Sequence, residues 1–270
     1  MNFKGHYKTG AIQEVIYGKE LIEALNQAIG DTSDPMVMFV TNTSLTKIGG
    51  LAGIVKKALG KVCVGEVKGL KAHSPRQDVI TLAKELKEKR ANIVVTLGGG
   101  SVCDTTKVAC LALENGVSSK NGIGQLASDE LNSPKIKHIA IPTTLSAGEY
   151  TGFAGITDET IPRKELFFHN GMVPNVVILD PEMTSVTPDR LFFGTGVRAV
   201  DHAIETYCSI NANPLVEASS LHGLNLLASA LPKCKADPSD KMSRLECLVG
   251  SWLSIQGLSL IHISEPTRRS

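Results

Sequence analysis

The stretch "VTLGGGSVCDTTKVA", residues 95–109, constrains the fold more than any other part of the chain. An apolar run ends in three consecutive glycines, and a serine then opens a segment with helical spacing. A strand passing into a helix through Gly98, Gly99 and Gly100 can turn sharply, because a residue without Cβ tolerates close approaches that others forbid. The following helix presents unpaired N–H groups and roughly half a positive charge at its first turn, which suits a phosphate. Ser101 adds a hydroxyl, and Asp104 can accept from a ribose or from a loop N–H. The spacing is neither G-x-G-x-x-G nor the P-loop pattern, so a tight turn without ligand is the competing reading.

The surroundings of the turn set the fold class. "MVMFVT" (36–41), "KVCVGEV" (61–67), "NIVVTL" (92–97), "KHIAIPTT" (137–144) and "NVVILDP" (175–181) read as strands. Helical patterns separate the first three. "SLTKIGGLAGIVKKAL" (44–59) reads as a glycine-weakened helix, and residues 76–91 place Val79, Leu82, Ala83 and Leu86 on one stripe. Near-continuous apolar strands alternating with helices predict a parallel sheet covered on both faces. Aromatic residues make up only 4% of the chain, which favours the close helix-on-sheet layering that small side chains permit. From Thr187 onward the strand pattern stops and three helical segments follow. The second is capped by Asn213 with Pro214 at its first position, and the third carries Met242, Leu245, Val249 and Trp252 on one stripe. The predicted fold is α/β: a Rossmann-like parallel-sheet domain over residues 1–186, then an all-helical domain over 187–257.

A second polar strand end supports a nucleotide cleft. "IPTTLSAGEY" (141–150) releases Thr143, Thr144 and Ser146 where a strand ends, and ligands of open α/β sheets sit outside the carboxyl ends of strands. Capping is the alternative use of these hydroxyls. A net charge of +1 argues against a polyanion-binding surface and so against nucleic acid. No apolar run approaches membrane-spanning length, and the first residues show no signal-peptide core. Six scattered cysteines without a C-x-x-C pair suit free thiols in a reducing compartment, hence a cytoplasmic protein.

Four motifs in order, "GGGSVCDTTK", "IPTTLSAGEYT", "VVILDPEMTSVTP" and "GTGVRAVDHAIETY", resemble the iron-containing (group III) alcohol dehydrogenase superfamily. "KAHSPRQDV" (71–79) and "TTLSAGEYT" look most like its maleylacetate reductase branch. The resemblance implies hydride transfer between NAD or NADP and a small alcohol, aldehyde or keto acid, in a cleft between the two domains. It allows a homo-oligomer. By the same resemblance, Gly99, Gly100 and Ser101 would hold the diphosphate, with Thr143, Thr144 and Ser146 beside it. Asn42 would stand at the adenosine ribose, where an acidic residue would repel a 2′-phosphate; asparagine leaves both coenzymes open. Lys164 would reach the nicotinamide end, with a solvated surface lysine as the alternative.

Metal-using relatives carry Asp and His four residues apart on one helix face. Here His202 stands at the histidine position and Arg198 at the aspartate position. A guanidinium cannot ligate a cation, and Asp201 is expected to pair with Arg198 instead. No G-x-x-H-G-x-x-H-type segment follows, so the resemblance points to a metal-independent branch. His202 is then either a cleft histidine polarising the substrate carbonyl or a structural one, and His73 either binds a carboxylate or caps the next helix. The resemblance ends near Gly257, and "LSLIHISEPTRRS" (258–270) looks like a translated sequencing adapter. Those thirteen residues are expected to be non-native and the helical domain incomplete. Two other classes stay open: a non-catalytic nucleotide-binding fragment, and an enzyme like glycerol dehydrogenase or dehydroquinate synthase.

Overall fold

The computed structural model describes residues 12–257, apart from 31, 48, 49, 129, 162 and 211. The expectation about residues 258–270 lies outside the described residues.

Six parallel strands form one sheet: β1 (Glu14–Tyr17), β2 (Val37–Asn42), β3 (Cys63–Leu70), β4 (Ile93–Gly98), β5 (Lys137–Pro142) and β8 (Val176–Leu179). Their spatial order is β1-β8-β5-β4-β2-β3. Strands β6 (Phe153–Asp158) and β7 (Arg163–Phe168) pair separately as an antiparallel hairpin. Helices α1 (Leu21–Ile29), α2 (Thr43–Lys47) and α3 (Leu51–Leu59) precede β3; α4 (Arg76–Glu88) and α5 (Gly100–Glu114) flank β4. The chain then closes with α6 (Asp189–Tyr207), α7 (Pro214–Ala236) and α8 (Lys241–Ser254).

The four inner strands, β8, β5, β4 and β2, are buried on both sides, as strands of a parallel sheet under helices are, whereas the edge strands β1 and β3 stay partly exposed. On one face Phe39, Val95 and Ile139 pack against Leu25 of α1 and Val55 of α3. On the other, Met38, Val40 and Val94 meet Leu82 and Leu86 of α4 and Val108 of α5. The predicted stripe of α4 is the buried one. A third cluster joins Ala140 and Val177 of the sheet to Phe192, Ala230 and Leu248 of the helical part. Among the described residues no helix is long and apolar enough to cross a membrane.

Three details differ from the sequence reading. The helix expected over 44–59 is two helices, α2 and α3, with adjacent glycines 49 and 50 between them. Strand β1, helix α1 and the β6–β7 hairpin have no counterpart among the predicted elements. The stripe of α8 is also rotated: Met242 is 65% exposed, whereas Arg244, Cys247, Leu248 and Ser251 face inward. Small side chains let α8 sit close to its neighbours, and the Arg244 guanidinium turns inward to donate to the oxygens of Thr184 and of Pro238.

Sheet order fixes where a ligand can go. Strands β2 and β4 are adjacent, yet the crossover after β2 runs through α3 on one face and that after β4 through α5 on the other. Neighbouring strands whose connections diverge leave a crevice at their carboxyl ends, the usual ligand position in an open α/β sheet.

Candidate functional site

A cleft of about 690 Å³ opens at that divergence, within the range of small-molecule and cofactor sites. Its floor is the β4–α5 turn, with Gly99, Gly100, Ser101 and Asp104. One wall comes from Asn42–Leu45 after β2 and Leu70–His73 after β3. The other comes from Thr143, Thr144, Ser146 and Gly148 after β5, Lys164 on β7, and Leu191 and Thr195 on α6. All nine predicted cofactor residues, Asn42, Gly99, Gly100, Ser101, Asp104, Thr143, Thr144, Ser146 and Lys164, therefore line one cleft. His202 is not among its lining residues. It lies two turns beyond Thr195 on α6, buried near Ala199 and Ala203.

The turn has no room for side chains. A Cβ on Gly99 would stand 2.9 Å from Thr144 Cγ2, and one on Gly100 would stand 3.2 Å from Ser146 Oγ. The N-terminal N–H groups of α5 thus face the cleft past bare backbone, a cradle shaped for an anion. Thr144 Oγ1 and Ser146 Oγ are 3.1 Å apart, and Thr143 N donates to Gly98 O at 3.0 Å, which ties the β5 loop to the turn. Thr187 Oγ1 donates to Thr143 O at 2.7 Å, and Leu145 N donates to Thr195 Oγ1 at 3.0 Å. These two bonds fasten the helical side of the cleft to the sheet side.

The loop after β3 folds over the turn. His73 and Ser74 both take left-handed backbone conformations, at φ 67° and 52°; non-glycine residues held there signal a constraint imposed by their surroundings. His73 N donates to Ser101 Oγ at 3.1 Å and Ser74 Oγ to Ser101 O at 3.0 Å. Thr157 on β6 locks the same loop through His73 O and Ser74 O. The Ser101 hydroxyl accepts from His73, so its own proton is left to donate into the cleft.

The hairpin brings Lys164 to the cleft. Its side chain crosses Gly155, where a Cβ would overlap Lys164 Cε at 2.0 Å. Arg76, at the start of α4, holds the hairpin by ion pairs to Asp158 at 2.9 Å and Glu165 at 2.6 Å. Asp104 lies behind the turn and accepts from Gly155 N at 3.0 Å. Of the two roles its position allowed, it fills the loop N–H. Burial pushes its carboxyl above the ordinary range, opposed by Lys107 and by the Gly155 N–H.

Sequence reasoning missed a buried group beneath this floor. Lys107, only 1% exposed, donates to the carbonyls of Gly148, Thr151 and Phe153. Glu149 is buried within the same loop, and burial pushes its carboxyl up to about 7. Burial also pushes the Cys103 thiol up to about 12, so it is no thiolate nucleophile. All six cysteines are free.

Among the described residues no three His, Cys, Asp or Glu side chains come together. Arg198 forms the expected pair with Asp201, Nη1 to Oδ2 at 2.6 Å, on the exposed side of α6.

The iron-containing alcohol dehydrogenase model matches residues 13–181, and the C-terminal model of the Fe-containing alcohol dehydrogenase family matches residues 192–264, running beyond Gly257. Dehydrogenase FUM7 of Gibberella moniliformis is 36% identical over 197 residues, 68% of this chain and 46% of that protein. The solved maleylacetate reductase from Agrobacterium tumefaciens superposes with a TM-score of 0.77 at 25% identity, over 96% of this chain and 66% of that one. A sulfoacetaldehyde reductase from Bifidobacterium kashiwanohense, solved in complex with NAD+, superposes at 0.84 with 22% identity, covering 95% and 67% of the two chains. The chain spans about half the length of the curated relatives it matches.

Proposed function

The chain belongs to the iron-containing alcohol dehydrogenase family, and on that premise we propose that its cleft binds a nicotinamide dinucleotide for oxidoreduction of a small alcohol, aldehyde or keto acid. The observation that carries this reading is the bare Gly99–Gly100 turn at the start of α5, at the sheet's switch point. Bound there, the coenzyme supplies hydride exchange with the carbonyl or alcohol carbon.

The chain's own residues supply position. The N–H groups of Gly100 and Ser101 and the Ser101 hydroxyl hold the diphosphate, and α5 adds its favourable dipole. Thr143, Thr144 and Ser146 line the path beside it. Asn42 meets the adenosine ribose on the β2 side. Lys164 takes the nicotinamide end, on the side that the helical part closes. Leu191 and Val186 form an apolar border there, which limits water around the reacting carbon. His202, deeper along α6, would act on a substrate reaching past Thr195. The likeness to maleylacetate and sulfoacetaldehyde reductases favours a small carbonyl compound bearing an acidic group.

Equilibrium titration of the purified chain with NAD(H) and NADP(H), followed by a panel of small aldehydes and keto acids, tests the proposal. Saturable one-to-one binding with turnover is expected. A folded chain that takes up neither coenzyme would overturn the dinucleotide reading. Binding without turnover on any carbonyl would leave a nucleotide-binding unit and remove the redox role.

A further inference from the structure

We infer that Gly155 is a positioning residue for Lys164: its missing side chain is the slot through which the lysine reaches the nicotinamide end of the cleft. This rests on the dinucleotide reading and adds to it the residue that aims the cation. Register places the two together. In the β6–β7 hairpin Thr157 pairs with Lys164 and Gly155 with Leu166, so Gly155 is the diagonal neighbour of Lys164 on the same face. There the lysine lies flat along the strand. A Cβ added to Gly155 would overlap Lys164 Cε and stand 2.8 Å from Nζ and 3.2 Å from Cδ. Glycine inside a strand weakens it and commonly marks a place where another group comes close. Here that group is the side chain of a lysine that lines the cleft.

Two further observations place the ammonium toward the cleft floor. Burial raises the Asp104 carboxyl, and Lys107, the Gly155 N–H and Lys164 oppose that rise, so the Lys164 charge acts at the start of α5. The carboxylates of the hairpin are also engaged elsewhere. Asp158 and Glu165 alternate onto the opposite face, where both pair with Arg76, and Glu159 accepts from Gln77 N at 3.4 Å. Among the described residues Lys164 makes no ion pair. Its charge is left for a ligand, and Gly155 sets the direction in which it is offered. A lysine serving only solubility would extend its ammonium into water and need no slot.

Calorimetric titration of the purified chain, both single variants and the double variant with NADH, NADPH and ADP tests the slot. Lys164→Ala should weaken whichever dinucleotide the parent binds by about tenfold, the scale of one charge-assisted contact. ADP, which lacks the nicotinamide half, should stay within about twofold. Gly155 has no left-handed φ, and the three atoms nearest its added Cβ all belong to the flexible end of Lys164. Gly155→Ala should therefore fold, melt within about 3 °C of the parent, and show the same loss on the dinucleotide alone. In the Lys164→Ala background the opposing atoms are gone, so Gly155→Ala should cost no more than about twofold in affinity. Parent-like affinity in Gly155→Ala, an equal loss with ADP, a further loss in the double variant, or a melting temperature lowered by more than about 10 °C would each overturn the assignment while leaving dinucleotide binding in place. Uptake of neither dinucleotide by the parent would instead sink the reading beneath it.

Discussion

Burying an ammonium costs several kcal/mol unless its donors are matched, and Lys107 spends all three on the carbonyls of Gly148, Thr151 and Phe153. That ties the loop after β5 down on α5, with Glu149 shut inside it. Burial raises the Glu149 carboxyl from 4.5 to about 7, against the pull of Lys107. The folded state therefore prefers it protonated. Below the unfolded value it costs nothing; as pH rises from about 4.5 to 7 the folded state loses stability, on the order of 3 kcal/mol in all above 7. Glu149→Gln should then gain on the parent as pH increases, reaching its full advantage near pH 8. Urea unfolding of both proteins at pH 5, 6.5 and 8 checks this, and a constant difference between them would contradict it. Neither residue was legible in the sequence as part of the site, because the carbonyls that Lys107 meets lie 41 to 46 residues further along the chain and the burial of Glu149 depends on that same packing. A signal existed: Lys107 is the only charge in the apolar run from Val102 to Leu113 other than Asp104. The residues of the two strand-end motifs were legible because each motif is local, and the sheet brings their ends together.

At the scale of elements, the β4–α5 turn and the loop after β5 pack so closely that one constrains the other. Gly99 has φ −88°, which alanine can adopt, so the obstacle to a side chain is Thr144, with Cγ2 at 2.9 Å and Oγ1 at 3.0 Å from the added Cβ. Gly99→Ala should destabilise by about 1–3 kcal/mol, the usual cost of overpacking. Thr144→Ala removes both opposing atoms, so the double variant should be more stable than the sum of the single changes requires. Additive effects in a double-mutant cycle of denaturant midpoints would show that the clash is relieved elsewhere. The sequence identified five of the six sheet strands, since continuous apolar runs are distinctive. It missed β1, whose Glu14 and exposed Tyr17 mask an edge strand, and the hairpin, whose outer strand exposes Leu166 and Phe168. The two halves of the 44–59 segment looked continuous because helical periodicity spans a glycine pair without registering the break.

Across the whole molecule, the change from strand to helix spacing near Thr187 announced a helical part, but not how it docks. That depends on contacts between residues far apart in the chain, which no periodicity encodes. Arg244 of α8 is 5% exposed and reaches the Thr184 carbonyl and hydroxyl at 3.1 and 3.0 Å, while stacking 4.8 Å over Phe192 of α6. One side chain thereby fixes α8 and α6 to the segment leaving the sheet. The same segment continues to Thr187, whose hydroxyl holds Thr143 in the cleft wall. Arg244→Met keeps much of the apolar stem but strands the buried Thr184 oxygens. With hydrogen bonds to a charged group worth about 1.5–3 kcal/mol each before relaxation, a net loss of about 3 kcal/mol is expected. For a chain of this size that lowers the melting temperature by roughly 6–12 °C. Since the docking also sets the cleft wall, coenzyme affinity should fall in parallel, even though Arg244 does not line the cleft. Calorimetric melting with and without saturating coenzyme measures both effects. A melting temperature within about a degree of the parent would mean that apolar contacts alone hold the helical part to the sheet.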